Sequence, residues 1–172
     1  MLPGMHDHVH DVLEQWRREV PGLDRSPMGV IGRISRLSQL IQQELERIFR
    51  KHDLNGGEFD VLASLRRAGA PYSLTPTQLS SALIVTSGGM TKRLAALQQR
   101  GLIRREPDPD DGRSTRVALT PAGKRLVETV LPEHLANEER LLRGLAAGQR
   151  GDLARLLEAL AVSLGDEGRG RG

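Results

Sequence analysis

The chain has 172 residues, with 25 lysines and arginines against 22 aspartates and glutamates, a formal net charge of +3 and no cysteine. This length fits one domain with a substantial core, and the lack of cysteine excludes a disulfide framework, a thiolate metal site and a cysteine oxidation switch. A net charge this small does not by itself indicate nucleic acid as a partner. Apolar runs are far shorter than a membrane span, and no basic region followed by an apolar stretch opens the sequence, so we expect a cytoplasmic protein with no membrane partner.

Two helices are predicted before residue 53. From about Asp7 to Val20, apolar side chains recur at helical spacing and include Trp16, the only tryptophan of the chain. A long helix is predicted from about Pro27 to His52, with Ser26 as its cap. Its apolar positions are spaced by three and four residues: Val30, Ile31, Ile34, Leu37, Ile41, Leu45 and Ile48.

A helix-turn-helix is predicted from Thr75 onward. Thr75 caps the first helix and Pro76 occupies the first helical position, where no amide donor is needed. The apolar face of this helix consists of Leu79, Ala82 and Leu83. A second helix runs from about Ser87 to Arg100 and is closed by Gly101, the residue type that best accepts a left-handed conformation.

The two faces of this second helix differ in chemistry. At roughly 100° per residue, Met90, Leu94 and Leu97 fall within one narrow arc, which must pack on the body of the protein. Small and polar residues lie on the opposite side: Gly88, Lys92, Ala95 and Gln99. Glycines that let backbone approach phosphate, together with donors on Lys92 and Gln99, suit insertion into a DNA major groove.

A β-hairpin is predicted next, with strands at Leu102–Glu106 and Thr115–Leu119 and turn formers from Pro107 to Gly112. Four arginines cluster around it: Arg104, Arg105, Arg113 and Arg116. An arginine at the tip of such a ribbon can enter the minor groove. The carboxylates of Glu106, Asp108, Asp110 and Asp111 can hold guanidinium groups in fixed directions. Each of these elements is common when taken alone, so the two helices and two strands also fit an ordinary αα-hairpin followed by a solvated β-hairpin.

Two leucine-rich helices are predicted at the end of the chain, from Pro121 to about Leu145 and from Gly148 to Leu164, with a kink or short break at Pro132. Their apolar faces must be buried, either in the monomer core or against a second copy of the chain. A homodimer has a functional reason, because two recognition helices one DNA turn apart can read a palindromic operator. Residues 165–172 are predicted to form a disordered tail.

Four motifs between about Leu54 and Val127 resemble the MarR family of winged-helix transcription regulators. They are LNGGEFDVLASL at 54–65, the Ser87–Leu102 helix ending in RGLI, the DPDDGRS wing at 108–114 and VALTPAG at 117–123. The resemblance implies a mainly α fold with a small β-hairpin wing, in which a winged helix-turn-helix domain is flanked by N- and C-terminal dimerisation helices. It also implies a sequence-specific DNA-binding transcription regulator, by default a repressor, that binds double-stranded DNA as a homodimer.

The predicted organisation has four parts: 1–53 for N-terminal helices on the dimerisation and ligand side, 54–120 for the winged helix-turn-helix domain, 121–164 for C-terminal dimerisation helices and 165–172 for the tail. The expected DNA-binding residues lie on the two helices and the wing: Thr75, Thr77, Thr86, Ser87, Gly88, Gly89, Thr91, Lys92, Gln99, Arg113, Ser114 and Arg116. An alternative is a winged-helix scaffold whose hairpin and helices contact protein instead of DNA.

The segment WRREVPGLDRSPM at 16–28 resembles the N-terminal extension of the urate-responsive branch of the family and of relatives that respond to other small anions. That resemblance implies a ligand-binding set of Trp16, Asp60, Arg67 and Arg93. Asp60 and Arg67 share a flank of the predicted Gly57–Ala68 helix. Arg93 lies at the edge of the recognition helix, whereas Lys92 points directly away from the body.

A planar anion with one face on Trp16 and its charge on Arg67 or Arg93 would displace Asp60 and pull the recognition helix out of register with DNA. Urate, a tricarboxylate and an aromatic acid all fit this description. Two alternatives remain open. The charged residues of the set can form a structural ion-pair network without a ligand, and Trp16 can be a plug in the core.

No enzyme, cofactor or metal site is predicted. No residues combine as nucleophile and base at a recognisable spacing, and the glycine pairs at 56–57 and 88–89 do not form a phosphate-cradling loop. His6, His8 and His10 would spread over different faces of a helix, which disfavours a metal site.

Overall fold

In the computed structural model, which describes residues 6–83, 89–108, 111 and 114–166, the chain alternates helices with a small sheet. The helices are α1 (His8–Glu19), α2 (Ser26–Arg50), α3 (Gly56–Arg67), α4 (Pro76–Ala82), α5 (Met90–Gln99), α6 (Pro121–Leu141) and α7 (Ala147–Ser163), with a 3-10 turn at Leu142–Gly144. The strands are β1 (Ser73–Leu74), β2 (Ile103–Pro107) and β3 (Thr115–Leu119). Four predicted DNA-binding residues lie outside the described residues: Thr86, Ser87, Gly88 and Arg113. So does most of the predicted tail, residues 167–172.

Local chemistry fixes where the two N-terminal helices begin. Asp7 caps α1, accepting a hydrogen bond of 2.8 Å from the His10 amide. Ser26, predicted to cap the long helix, is instead its first residue, with Arg25 at the cap position. The carboxylate of Asp24 accepts hydrogen bonds from both the Ser26 amide and the Ser26 hydroxyl. The prediction of Ser26 as the cap was therefore wrong, because Asp24 satisfies the first donors of α2.

The sheet is antiparallel, with strand order β1-β3-β2. Its two longer strands form the predicted hairpin, in which Arg105 pairs with Val117 and Pro107 pairs with Thr115. β1 was not predicted, because two residues are too few to show an alternating pattern. It ties the segment before α4 to the hairpin through pairing with Val117 and Ala118.

The core joins the helix-turn-helix to the long helices on either side of it. Its fully buried side chains come from α3, α4, α5, β2, β3 and α6 and include Val61, Leu62, Leu65, Leu79, Leu97, Ile103, Val117 and Val130. Phe49 from the end of α2 and Val127 from α6 belong to the same cluster. The helix-turn-helix is thus anchored to α2 and α6 by direct apolar packing.

α6 runs through Pro132 without interruption, so the predicted break is absent. Pro132 lies on the exposed side of the helix. The carbonyl group that loses its helical donor there can bind water, which lets the helix continue. The helix ends at Leu141, slightly before the predicted end.

Among the described residues, none of the helices qualifies as a membrane span.

Large apolar side chains remain exposed on the terminal helices of the single chain. α7 has no buried residue. The exposed apolar residues of α1, α2, α6 and α7 include Trp16, Met28, Val30, Ile31, Leu37, Leu40, Ile41, Leu131, Leu135, Leu153, Leu156 and Leu157. A patch of this extent marks an interaction surface.

Gly123 provides a test of how the wing is fixed to α6. A Cβ at this position would collide with the Leu102 carbonyl oxygen, which is backbone and cannot move aside cheaply. We expect Gly123→Ala to lower the free energy of unfolding by about 1–3 kcal/mol, the usual cost of overpacking. The control is Gly148→Ala in α7, where nothing lies within 4 Å of the added Cβ. Urea unfolding midpoints of the two variants should move in opposite directions, since alanine favours an open helical site.

Candidate DNA-binding surface and adjoining pocket

α4 is positioned by a capping box at its first turn. The Thr75 hydroxyl accepts a hydrogen bond from the Gln78 amide, and the Gln78 side chain accepts one from the Thr75 amide. With Pro76 at the first helical position, the start of α4 is set by the sequence alone. Thr77 is exposed on the outer side of this turn.

α5 presents the face that the sequence predicted for a recognition helix. Leu94 and Leu97 are buried in the core, whereas Thr91, Lys92 and Gln99 are exposed. Two glycines with positive φ bound it: exposed Gly89 caps its start at φ 94°, and Gly101 follows its end at φ 68°. The helix therefore exposes a polar, cationic edge, and leucines on its opposite side pack in the core.

Carboxylates in the wing hold two of its arginines, as the sequence suggested they could. Arg104 donates to Glu106 at 2.9 Å and to the Leu119 carbonyl at 2.9 Å. Arg116 donates to the buried carboxylate of Asp108 at 3.1 Å. Ser114 donates its hydroxyl hydrogen to the Asp111 carbonyl. Arg116 and Ser114, both expected on DNA, are thus engaged within the wing, while Arg105 is exposed.

A cavity of about 320 Å³ lies directly behind α5. Residues from α2, α3, α5 and α6 line it, including Glu46, Phe49, Asp60, Arg93 and His134. Of the four residues expected to bind a ligand, the structure brings Asp60 and Arg93 together at this cavity. Hereafter we call this space the α5 pocket.

Gly57 makes room for Arg93 in the α5 pocket. The Arg93 guanidinium lies so close to Gly57, in the first turn of α3, that a Cβ there would collide with it. The side chain of Arg93 therefore reaches inward from the recognition helix and rests on α3. This placement matches the inward edge position that the helical spacing indicated.

Arg67 and Trp16 do not line the α5 pocket of their own chain. Arg67 is exposed at the last residue of α3, about 10 Å along the helix from Asp60. Trp16 lies on α1, which packs on the opposite end of α2, and it is 42% exposed.

Sequence reasoning missed the contribution of α6 to this pocket. The His134 ring lies 4.9 Å from the Phe59 ring and 5.4 Å from the Phe49 ring. Its Nε2 lies 3.2 Å from the Glu138 carboxylate, and its Nδ1 is buried without a hydrogen-bond partner. An isolated histidine in a helix carries no local signal for such a position.

The predicted separation of the N-terminal histidines was wrong for His6 and His10, whose rings stack with centroids 4.0 Å apart, as residues four apart can. Within the described part of the chain, no group of three potential ligands is placed to hold a metal ion.

An exposed cationic helix supported by leucines and followed by an arginine-bearing hairpin defines a winged helix-turn-helix DNA-binding protein. The MarR family model matches residues 52–114. The HTH-type transcriptional regulator PecS of Dickeya dadantii is 43% identical over 149 residues, covering 87% of this chain and 90% of PecS. The chain belongs to the MarR family of DNA-binding transcription regulators, which are not enzymes.

Solved structures share the fold. A mutant MarR from Escherichia coli complexed with operator DNA has a TM-score of 0.67 and 26% identity, covering 84% of this chain and 96% of that one. Bordetella bronchiseptica BpsR, whose DNA binding is regulated by 6-hydroxynicotinic acid, has a TM-score of 0.72 and 24% identity, covering 81% and 98%.

Lys92 provides a test of the DNA-facing surface. If its ammonium neutralises a phosphate, Lys92→Ala should reduce the slope of log K against log salt by about one. Fluorescence anisotropy with the promoter fragment of the protein's own gene, at several salt concentrations, measures this slope. The matched control is Lys51→Ala at the end of α2, where the side chain is 58% exposed and faces Glu133. Equal slopes for both variants and the unmodified protein would show that Lys92 does not contact a DNA phosphate.

Proposed function

We propose that this protein represses transcription by binding a palindromic operator as a homodimer and that a small planar anion in the α5 pocket releases it. The observation that carries the proposal is the position of Arg93. One helix presents Lys92 outward and Arg93 inward, into a cavity that Asp60 also lines. A change of charge in this cavity acts on the DNA-reading helix itself.

The exposed apolar faces of the terminal helices support a homodimer. α7 has no buried residue, and Met28, Val30, Ile31 and Leu37 in the first half of α2 remain exposed. Closed two-fold symmetry is the commonest way for such faces to be buried, and it places two recognition helices on one side of the assembly. Two such helices read the two halves of a palindrome. On this view the helices before 54 and after 120 serve dimerisation, and the segment between them serves DNA.

Size and charge support an anionic ligand for the α5 pocket. Its volume of about 320 Å³ is at the lower end of the range that drug-sized ligands occupy. Arg93 is better placed than Arg67 to bind the charge, because Arg67 is exposed and lies outside the lining. The aromatic rings of Phe49 and Phe59 offer a flat apolar wall, and His134 Nδ1 offers a buried polar atom with no partner among the described residues.

The release mechanism follows from competition between carboxylates. An anion bound to the guanidinium of Arg93 adds negative charge beside Asp60 in a confined site, where repulsion is weakly screened. Arg93 must then lose its contact with Gly57, or Asp60 must move with α3. Either movement shifts α5 relative to the rest of the winged helix and so misplaces Lys92. The regulation of BpsR by an aromatic carboxylic acid supports this ligand class.

Removing Arg93 tests the proposal. We expect Arg93→Ala to weaken the binding of a planar anion at least about tenfold, the loss of one charge-assisted hydrogen bond. Arg67→Ala is the matched control and should have a clearly smaller effect. Isothermal titration with urate, citrate and 6-hydroxynicotinate measures binding, and mobility shift of the promoter fragment measures release. Saturable binding with release in the unmodified protein supports the proposal. If none of the three anions binds, the proposal is wrong and the charged residues form a structural network without a ligand.

A further inference from the structure

The end of the recognition helix lies against the beginning of α3. Arg100 follows the last residue of α5 and donates its amide hydrogen to the Ala96 carbonyl at 3.1 Å, so it continues the helical turn. Its side chain extends to α3, where Nη1 lies 3.6 Å from Oε2 of Glu58. This ion pair joins the residue that ends the recognition helix to the first turn of a core helix.

The carboxylate of Glu58 has a fixed direction. Its Oε2 accepts a hydrogen bond of 3.1 Å from the Asn55 amide, and the Asn55 side chain accepts one of 2.9 Å from the Glu58 amide. The two bonds form the capping box at the start of α3. Glu58 is also buried, with 8% of its surface exposed. Its carboxylate therefore cannot follow Arg100 if the recognition helix moves.

The start of α3 is in turn attached to α2. The Glu46 carboxylate accepts a hydrogen bond of 2.8 Å from the Gly56 amide. The rings of Phe49 on α2 and Phe59 on α3 stack with their centroids 4.5 Å apart. Glu58 therefore projects from a turn that a hydrogen bond and an aromatic contact hold in place on the long helix.

Arg93 and Arg100 reach this turn of α3 from opposite ends of α5. They are seven residues apart, which places them roughly 20° apart around the helix and about 10 Å apart along it. Arg93 lies against Gly57 and Arg100 pairs with Glu58, the next residue of α3. A helix that is held near both ends on one flank cannot tilt without lengthening one of the two contacts. The ion pair at Arg100 is thus one of two contacts that set the tilt of α5.

The dipoles of both helices favour this ion pair. The amino end of a helix carries partial positive charge, which stabilises Glu58 in the first turn of α3. The carboxyl end carries partial negative charge, which stabilises the guanidinium of Arg100 after α5. The side chains of Arg100 and Glu58 are 34% and 11% exposed, so water screens the pair less than it screens a pair on the open surface.

We propose that Glu58 is a positioning residue for DNA reading, which fixes the end of the recognition helix through Arg100 and raises operator affinity without touching DNA. Lys92 and Gln99 are exposed on this helix, and their positions relative to the bases depend on its tilt. Hydrogen bonds to base edges are directional and carry the sequence information, whereas phosphate contacts carry none directly. The pair therefore contributes to operator binding more than to the binding of unrelated DNA.

Removing the charge of Glu58 tests this role without any ligand. In Glu58→Gln the new side chain still accepts a hydrogen bond from the Asn55 amide, so the capping box remains. The operator is the fragment that the unmodified protein selects from a random-sequence pool, and a scrambled fragment of equal length is the reference. We expect operator affinity, measured by fluorescence anisotropy, to fall about fivefold and affinity for the scrambled fragment to change less than about twofold.

Glu128→Gln is the matched control. It also removes one carboxylate that pairs with an arginine of α3, but its partners are Arg66 and Lys124, and neither belongs to the recognition helix. We expect the ratio of operator affinity to scrambled-fragment affinity to stay at the value of the unmodified protein. This control separates the ion pair at the end of α5 from the general effect of removing a negative charge.

Substitutions of Arg100 test the other half of the pair. Arg100→Met keeps an apolar stem without charge and should lower operator affinity as Glu58→Gln does, whereas Arg100→Lys should retain most of it. The double variant with Glu58→Gln and Arg100→Met should bind no more weakly than either single variant, because both changes remove the same contact. Urea unfolding shows which variants are folded. If Glu58→Gln does not fold, the two Arg100 variants, altered at a partly exposed side chain, decide the outcome.

A direct contact of Arg100 with phosphate predicts a different pattern. Glu58→Gln would then free the guanidinium and raise affinity for both fragments, and Arg100→Met would reduce the slope of log K against log salt by about one. Either result would overturn the proposal. Equal losses of affinity for the operator and the scrambled fragment would overturn it as well, and so would additive losses in the double variant.

Discussion

The recognition helix is held by the packing of Arg93 against the first turn of α3. Gly57 is the residue that permits this contact, since any side chain there would occupy the space of the guanidinium. Leu94 and Leu97 fix the underside of the same helix in the core. The orientation of α5, and with it the direction of Lys92, depends on a rigid apolar support and on the contact of one charged side chain with α3.

The different directions of Lys92 and Arg93 explain how one short helix can contribute both to the solvent-facing surface and to the pocket. Successive residues on a helix point about 100° apart, so Lys92 and Arg93 face different environments although they are neighbours. Lys92 faces solvent, and Arg93 faces a cavity bounded by α2, α3 and α6. Of those three helices, α2 and α6 also carry exposed apolar residues. The proposed dimer interface and the proposed ligand pocket would therefore share α2 and α6.

Much of the winged helix could be predicted from the sequence because local chemistry determines it. The capping box at Thr75, the buried arc of α5 and the glycine at 101 all depend on residues within one or two turns. β1 could not be predicted, because its pairing with Val117 depends on tertiary contact. Continuity of α6 through Pro132 depends on that residue facing solvent, which the sequence alone does not reveal.

The site shows the same limit more clearly. Helical spacing predicted an inward edge position for Arg93 and a flank shared with Arg67 for Asp60. Asp60 and Arg93 line one cavity in the structure, and Arg67 does not. No periodicity could bring His134 and Glu138 to that cavity, because they approach it from a distant helix. Grouping Trp16 with these residues came from family resemblance. In the structure, the helix α1 that carries Trp16 packs on the first part of α2, whereas the second part of α2 lines the pocket.

The most direct test of the central claim is a linkage measurement. If an anion at Arg93 and operator DNA compete through the orientation of α5, DNA must weaken anion binding by the same factor by which the anion weakens DNA binding. Anion affinity is measured by titration calorimetry with free and with operator-bound protein, and operator affinity by anisotropy with and without saturating anion. We expect equal factors in the unmodified protein and a factor of one in Gly57→Ala, where Arg93 loses its seat. An anion that binds equally well to free and operator-bound protein would contradict the account.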